Sequence, residues 1–323
     1  MSHGRYTVYQ NSLIPLGKYD KCNTPPDTTF IIAAGSAGEI GYSQEQFWAA
    51  DDCYYLIPNE GVVSKFLFYS LLGHQSQISG SVRHGSVPRL ARDVMGNLEL
   101  RLPEGVIQHK ITDALTSIDI QISAIQKLLS KYESIKKATV KKLMTPKDGW
   151  KQYKLEDIFE IQIGGDLDIE HYSANKTATH CYEIVSNSLT NRGLYGYTSL
   201  PLYSADSITV TGRGNVGHAE YRKEAFDAII RIVVLTPKES NVCSKFISEL
   251  INSTCPFQIE STGVPQLTAP QIASTKIIIP TVCEQKQAVE TLDALDNITD
   301  RLMIQLAKVH KVKSSMLQYF FGD

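Results

Sequence analysis

"GVPQLTAPQIASTKIIIPTVCEQKQAVETLDALDNITDRL", from Gly263 to Leu302, has a counterpart in "GSVPRLARDVMGNLELRLPEGVIQHKITDALTSIDIQISAI", from Gly85 to Ile125. Both give a small turn, a short apolar strand ending in proline (Pro280, Pro103), then a long amphipathic helix. Position 111 aligns with 288, an offset of 177, and the apolar positions keep step afterwards. One helix carries Ile111, Leu115, Ile118, Ile122, Ile125, Leu129 and Tyr132; the other carries Ala288, Leu292, Leu295, Thr299, Leu302, Leu306 and Val309. Both stripes have the heptad spacing of a coiled-coil seam. Each helix continues to a Lys-bearing end, Lys141-Lys142 in one and Lys311 to Lys313 in the other. Roughly 35 residues at 1.5 Å rise make a rod of about 50 Å. Two equally long helices in equivalent positions, each with one narrow apolar stripe, are expected to pack on each other.

The similarity extends upstream. "YTVYQNSL" (Tyr6 to Leu13) matches "YEIVSNSL" (Tyr182 to Leu189), and "GEIG" (Gly38 to Gly41) matches "GNVG" (Gly214 to Gly217), both at offset 176. "SKFLFYSLL" (Ser64 to Leu72) matches "SKFISELI" (Ser244 to Ile251) at offset 180. The period is far too long for a solenoid, so this is a duplication. The copies differ at their starts. "GWKQYKLEDIFEIQIGG" (Gly149 to Gly165) opens the second, whereas five residues precede Tyr6, so the first module is expected to lack its opening strand and loop. "MTPKDGW" (Met144 to Trp150) marks the linker between halves. The expected fold is α+β: two α/β modules, each followed by a long helix, in an internal pseudo-twofold repeat. The boundaries read as module 1–103, helix 104–146, module 147–281 and helix 282–323.

Composition excludes several classes. Charged residues form 20% of 323 and the formal net charge is −2, so any nucleic-acid surface must be local. The longest apolar runs are strand-like, as in "IIRIVVL" (Ile229 to Leu235), which argues against membrane association. "MSHGRYTVYQNS" has no apolar signal core, and a cytoplasmic location is expected. Six scattered cysteines (Cys22, Cys53, Cys181, Cys243, Cys255, Cys283) have no C-x-x-C spacing and read as free thiols without a metal site.

Catalytic motifs fail on inspection. "GRGNVG" (Gly212 to Gly217) has the spacing of a dinucleotide fingerprint, but the polar "HAEYRKEAF" follows instead of an apolar helix, so a tight hairpin is expected. "NTPPDTTF" (Asn23 to Phe30) lacks the aromatic ring that the Asn-Pro-Pro-aromatic motif of adenine methyltransferases needs. Asp51-Asp52 read as solvated turn residues, and no nucleophile elbow occurs.

The opening "W-x-x-x-x-L-x-D-I-F-E-I-x-x-G-G", then "G-V-P-x-L", then "I-I-I-P" with "E-Q-K-x-x-V" and a long helix, resembles the DNA-specificity subunits of type I restriction–modification systems. The resemblance covers nearly the whole chain and is most specific over Gly263 to Leu302. It implies that each module is a target recognition domain for one half of a split double-stranded DNA site. It further implies that the helices pack as an antiparallel coiled coil and bind methyltransferase subunits, two per chain, with a restriction/translocase subunit joining the complex. The chain itself would be a non-catalytic, cofactor-free scaffold, S-adenosylmethionine belonging to the methyltransferase partner. A two-subunit type IIB specificity subunit, or an interaction scaffold that no longer binds DNA, remain alternatives. A rod of about 50 Å spans roughly fifteen base pairs at 3.4 Å each, which suits two short sequences around an unread gap.

Candidate DNA contacts are polar, aromatic and basic residues of the glycine-rich loops, because Arg can take guanine bidentately and Asn or Gln can take adenine. In the first module these are Gln10, Asn11, Ser12, Lys18, Lys21, Arg83, His84 and Arg89. In the second they are Ser186, Asn187, Asn191, Arg192, Tyr195, Arg213, Asn215 and His218. Lys127, Lys131, Lys136 and Lys308 are expected on helix faces left free for the methyltransferase. With no cofactor fingerprint in the chain, calorimetry of the isolated protein is expected to show no binding of S-adenosylmethionine; micromolar binding would overturn the non-enzyme reading.

Overall fold

The computed structural model describes residues 4–254, 256–257 and 266–322. Cys255 and the Gly263–Pro265 start of the quoted motif lie outside them. The chain divides into two compact units, one formed by residues 1–129 and 301–323, the other by residues 130–300. No helix among the described residues is long and apolar enough to cross a membrane.

In the first unit, β1 (Tyr6–Tyr9), β2 (Gly17–Tyr19), β3 (Thr28–Ile32), β4 (Ile40–Ser43), β5 (Phe47–Ala49) and β6 (Cys53–Leu56) form two three-stranded sheets, ordered β2-β1-β5 and β4-β3-β6. Strand β3 is buried throughout, with Phe30, Ile31 and Ile32 at its apolar end, because both of its faces are covered. Ile31 packs with Ile40, Leu71 and Ile78, while Phe30 and Ile32 pack with Phe47 and Ala49. Helix α1 (Ser64–Gly73) lies against β3 and β4; α2 (Gln75–Gly80) and the short α3 (Arg92–Gly96) follow, then the 40-residue α4 (Gly105–Met144).

The second unit repeats this plan with additions. After β7 (Lys151–Lys154), α5 (Leu155–Ile158) and β8 (Phe159–Ile163) come β9 (Tyr172–Ser173), β10 (Tyr182–Val185), β11 (Leu194–Thr198) and β12 (Ser207–Val210). Then follow β13 (Ala219–Arg222), β14 (Phe226–Ala228), β15 (Val233–Pro237), α6 (Ser244–Thr254), α7 (Ala269–Ala273), β16 (Lys276–Ile279) and the 40-residue α8 (Val282–Phe321). The sheets are ordered β14-β10-β11-β9 and β13-β12-β15-β8, with β16 paired to β7.

Both heptad helices form, and each unit contains one crossing of them. In the first, Ile111 and Leu115 near the start of α4 cluster with Phe321 at the end of α8, beside Phe66 and Tyr69 of α1. In the second, Met144 at the end of α4 clusters with Ala288 and Leu292 near the start of α8, beside Phe246 of α6. The pairing is therefore antiparallel. Ile118, Ile122 and Ile125 are buried as the stripe requires, while Leu295, Leu302 and Leu306 are half-buried. Two ion pairs repeat at offset 177: Lys313 to Asp119 at 2.6 Å and Lys136 to Asp296 at 2.5 Å. Lys136 is thus committed to the helix pair, a correction to its expected place on a free docking face; Lys127, Lys131 and Lys308 are exposed.

The start of each long helix is pinned by a buried glutamine. Gln108 Oε1 accepts from the Val63 amide at 2.9 Å and its Nε2 donates to the Pro103 carbonyl at 2.9 Å. Gln285 repeats both bonds, to the Cys243 amide at 2.9 Å and the Pro280 carbonyl at 2.9 Å.

Hydrogen bonds also correct one register in the repeat. Ile32 N donates to Glu39 O and Gly38 N to Ile32 O, matching Thr211 N to His218 O and Gly217 N to Thr211 O. Gly35–Gly38 therefore corresponds to Gly214–Gly217, three residues from the "GEIG"/"GNVG" match, with Gly38 and Gly217 at φ +88° and +86°. "GRGNVG" forms the turn between β12 and β13, and β13 rather than a helix follows it. "IIRIVVL" is not one strand: Ile230 and Arg231 are left-handed, at φ 56° and 57°, and β15 begins only at Val233.

Replacing Gln285 by leucine would leave a buried amide and carbonyl without partners, at about 1–3 kcal/mol each. Chemical denaturation of Gln285→Leu is expected to show a loss in that range or above, with Gln108→Leu behaving alike; a neutral result would remove the glutamines from the account of helix placement.

Candidate nucleic-acid interface

The two units build the same loop frame. In the first, the turn after β1 places the Asn11 carbonyl on the Ser36 amide at 2.9 Å. A Cβ on Gly35, at φ +83°, would lie 2.6 Å from that carbonyl oxygen, so both conformation and proximity require glycine there. The segment before α3 folds onto the same turn. Arg83 and Arg89 exchange backbone hydrogen bonds at 2.9 and 3.1 Å, the Gly35 amide donates to Pro88 O at 3.2 Å, and Leu90 N donates to Ala33 O at 2.8 Å. Asn11, Ser12, Arg83, His84 and Arg89 are thereby gathered around one glycine turn, with Gln10 at its base. The Ser12 hydroxyl is used locally, on Ile14 O at 3.1 Å. The side chains of Arg83, His84 and Arg89 are exposed and have no hydrogen-bond or ion-pair partner among the described residues. Lys18, on the outer strand β2, and Lys21, just beyond it, share no hydrogen bond with this cluster among the described residues.

In the second unit, Asn187 ties two turns together. Its Oδ1 accepts from the Gly212 amide at 2.8 Å and its Nδ2 donates to Ile230 O at 2.5 Å. One hydrogen and one lone pair of this amide are thus used in holding loops. Ser186 is buried, its backbone amide donating to Gly193 O at 2.9 Å. Leu267 N donates to Gly212 O at 3.0 Å and Arg213 bridges to Gln266, the counterparts of the Leu90 and Arg89 contacts. Arg213 and Asn215 project from the glycine turn with exposed side chains, and Arg213 has no side-chain partner among the described residues.

A second turn lies at Asn191, Arg192 and Gly193, all left-handed, at φ 48°, 54° and 79°. Arg192 reaches back to Glu220 Oε1 at 2.6 Å and Tyr221 O at 2.9 Å. Arg222 sits beneath it with 3% exposure, its Nε donating to Thr209 Oγ1 at 3.0 Å and Nη2 to Arg192 O at 2.8 Å. Burial pulls that guanidinium down to about 10, partly offset by Glu220. His218 is 3.5 Å from Glu220, so Arg192 and His218 share one carboxylate. Asn191 remains exposed, and Tyr195 is exposed on β11 with its ring 6.0 Å from that of Tyr172.

Arg231 was invisible to the sequence reading because it sits inside an apolar run. The left-handed bend at Ile230–Arg231, held by Asn187, exposes it beside the Gly212 turn, without a side-chain partner among the described residues. A β-branched residue in that region costs on the order of 1–3 kcal/mol, and such strain concentrates at functional turns. No group of three or more His, Cys, Asp or Glu able to hold a metal occurs among the described residues.

Comparison with known proteins supplies a family. The family model described as type I restriction modification DNA specificity domain matches residues 3–134 and 147–309. A putative type I specificity subunit of Mycoplasma pneumoniae is 27% identical, over 98% of this chain and 88% of the relative. The MjaVIII specificity subunit of Methanocaldococcus jannaschii is 21% identical over 90% of this chain and 77% of its own length. Among solved structures, the S subunit of a type I restriction–modification system from M. genitalium covers 100% of this chain and 90% of its own, with TM-score 0.71 and 17% identity. The HsdS subunit of Thermoanaerobacter tengcongensis covers 93% and 81%, with TM-score 0.50 and 13% identity. Likeness at those identities establishes the fold.

The partner pattern separates two kinds of arginine. Arg213→Ala is expected to leave thermal stability within about 0.5 kcal/mol of the parent, as exposed substitutions do. Arg192→Ala removes a charge-assisted hydrogen bond and a backbone contact, and is expected to cost about 1–2 kcal/mol. Calorimetric melting of both variants checks this; equal losses would place Arg213 in the scaffold.

Proposed function

The chain belongs to the type I restriction–modification DNA specificity family, and we propose that it reads a split duplex target through the two loop frames just described. It is a DNA-specificity subunit, the non-catalytic member of such a system. Specificity subunits of these systems assemble with modification and restriction subunits and bind DNA. The family description and the relatives above are of type I, which leaves the type IIB alternative without support.

The observation that carries the finer reading is the same turn frame built twice with different side chains on it. In the first unit the free basic groups stand on the segment before α3, as Arg83, His84 and Arg89. In the second they stand on the β12–β13 turn and the bend after β14, as Arg213 and Arg231. One frame with two side-chain sets suits two different half-sites. Residues 1–103 and 147–281 are the reading modules on this view, and 104–146 and 282–323 the spacer helices. Asn191, Tyr195 and Asn215 are the further readers of the second module; Gln10, Asn11, Lys18 and Lys21 serve the first. Asn187, Ser186, Arg192, His218 and Ser12 act chiefly by fixing loop shape. Two methyltransferase subunits, bringing S-adenosylmethionine, dock on the exposed helix faces that carry Lys127, Lys131 and Lys308, and the complex works in the cytoplasm.

Methylome sequencing of a host expressing the complete system supplies the target. Titration of the assembled complex against matched and mismatched duplexes then decides the roles. Arg213→Ala and Arg231→Ala are each expected to lose about 1–3 kcal/mol on the matched duplex and little on a mismatch at the base read. Lys131→Ala should weaken assembly alike on all sequences. Uniform losses for both arginine variants would remove them from the reading set.

A further inference from the structure

The hairpin joining β1 to β2 carries a continuous apolar run, Leu13-Ile14-Pro15-Leu16, and every residue of it is exposed. Leu13 is 37% exposed, Ile14 79% and Leu16 56%. None of them joins an apolar cluster among the described residues. Such a run in water contributes nothing to the core, so it marks a contact surface.

Hydrogen bonds hold the run in this exposed form. Asn11 O accepts from the Ser36 amide at 2.9 Å before it, and Leu16 N donates to Val8 O at 2.9 Å at its end. Within it, the Ser12 hydroxyl donates to Ile14 O at 3.1 Å, and the ring of Pro15 fixes a further dihedral. The tip is therefore shaped before it meets anything.

The internal repeat points to the occupant. Hairpin β10–β11 is the counterpart, because β1 pairs parallel with β5 as β10 does with β14. Thr7 opposite Phe47 matches Glu183 opposite Phe226. At offset 176, "NSLIPLG" (Asn11 to Gly17) aligns with "NSLTNRG" (Asn187 to Gly193). Ile14, Pro15 and Leu16 thus stand where the second unit has Thr190, Asn191 and Arg192, on the turn that bears the proposed reader Asn191. Charge agrees with a nucleic acid. The glycine turn that holds Asn11 also gathers Arg83, His84 and Arg89, exposed and without side-chain partners among the described residues, and basic groups beside an apolar tip suit phosphates.

We infer that Leu13–Leu16 is a wedge that enters one base step of the duplex half-site met by the first module and partly unstacks it. The inference deepens the specificity reading and rests on it. The chemistry of the duplex selects a base step. Phosphates, sugars and most groove edges are polar, and a thymine methyl engages a single apolar side chain. Base faces opened by unstacking are the apolar surface that matches a whole run, and Leu, Ile and Pro are side chains used as such wedges. The polar counterpart turn has no such run, so the other half-site stays stacked.

Fluorescence of 2-aminopurine, which brightens when its stack opens, tests this on the assembled complex with the methyltransferase. The probe replaces in turn each purine of both half-sites except the methylated adenines. Brightening is expected at one step of one half-site. A chain carrying Ile14→Ser and Leu16→Ser should assemble and melt as the parent does, since both side chains are exposed. It should lose the brightening and bind the matched duplex about tenfold or more weakly, as loss of a buried Leu or Ile predicts. Ile14→Met with Leu16→Met should keep both properties. If the matched duplex is preferred but no step brightens, or the serine variant brightens equally, the wedge is overturned while the specificity reading stands. Failure of the serine variant to assemble would make the tip a protein contact and also overturn the wedge. An assembled parent complex that favours no duplex overturns the specificity reading itself, and the wedge with it.

Discussion

The helix crossing holds each unit closed, and its chemistry occurs twice. Apolar side chains supply the free energy, at roughly 25 cal/mol per Å² removed from water. That term is nearly indifferent to a slip of one heptad along the seam. The ion pairs Lys313–Asp119 and Lys136–Asp296 are not indifferent. Partly exposed pairs contribute only about 0–1 kcal/mol to stability, so their consequence is registry. Because 119 and 296, like 136 and 313, differ by 177, one antiparallel alignment satisfies both pairs. The glutamines then fix each helix start to its own module, carrying the alignment into the loops.

The loops show how duplication permits divergence. What persists between copies is backbone geometry: two left-handed glycines, an inward-facing amide, and a short bridge from the segment before the last small helix. None of these contacts needs a particular outward side chain. Asn187 uses its side chain for the restraint that Asn11 makes in part through its carbonyl. The outward positions are therefore free to differ, and they do, with Arg89 in one unit at the bridge position that Gln266 takes in the other.

Much of the architecture was legible in the sequence because heptads, terminal prolines and glycine turns are local and periodic. The long helices lie where the stripes of Ile111 to Tyr132 and Ala288 to Val309 put them, and "GRGNVG" is a turn because a strand pattern follows it. Long-range pairing was less legible. Lys136 looked like any exposed helix lysine, since nothing local marks Asp296 as its partner. The glycine register slipped by three because "G-x-x-G" matches itself at more than one offset when backbone hydrogen bonds are unseen. Arg231 was hidden for a related reason: an apolar run reads as a strand whether or not a bend interrupts it. Asn187 and Arg192 have the right chemistry for bases, and the fold also engages both side chains in loop contacts that no local pattern announces.

The near-neutral charge gives this arrangement its functional sense. Phosphate neutralisation dominates non-specific affinity, and a chain with net charge −2 supplies little of it. The carboxylates Glu220 and Glu183 lie beside the buried Arg222 and further damp the local field. Basic groups without partners among the described residues are left on the pinned turns, and on the proposed reading each meets a base edge rather than contributing to a diffuse positive surface. A specificity subunit that bound any duplex strongly would hold its catalytic partners on the wrong sequences. On the proposed reading, weak intrinsic affinity sharpened by a few arginines on pinned turns would leave affinity to the assembled complex and discrimination to the loops.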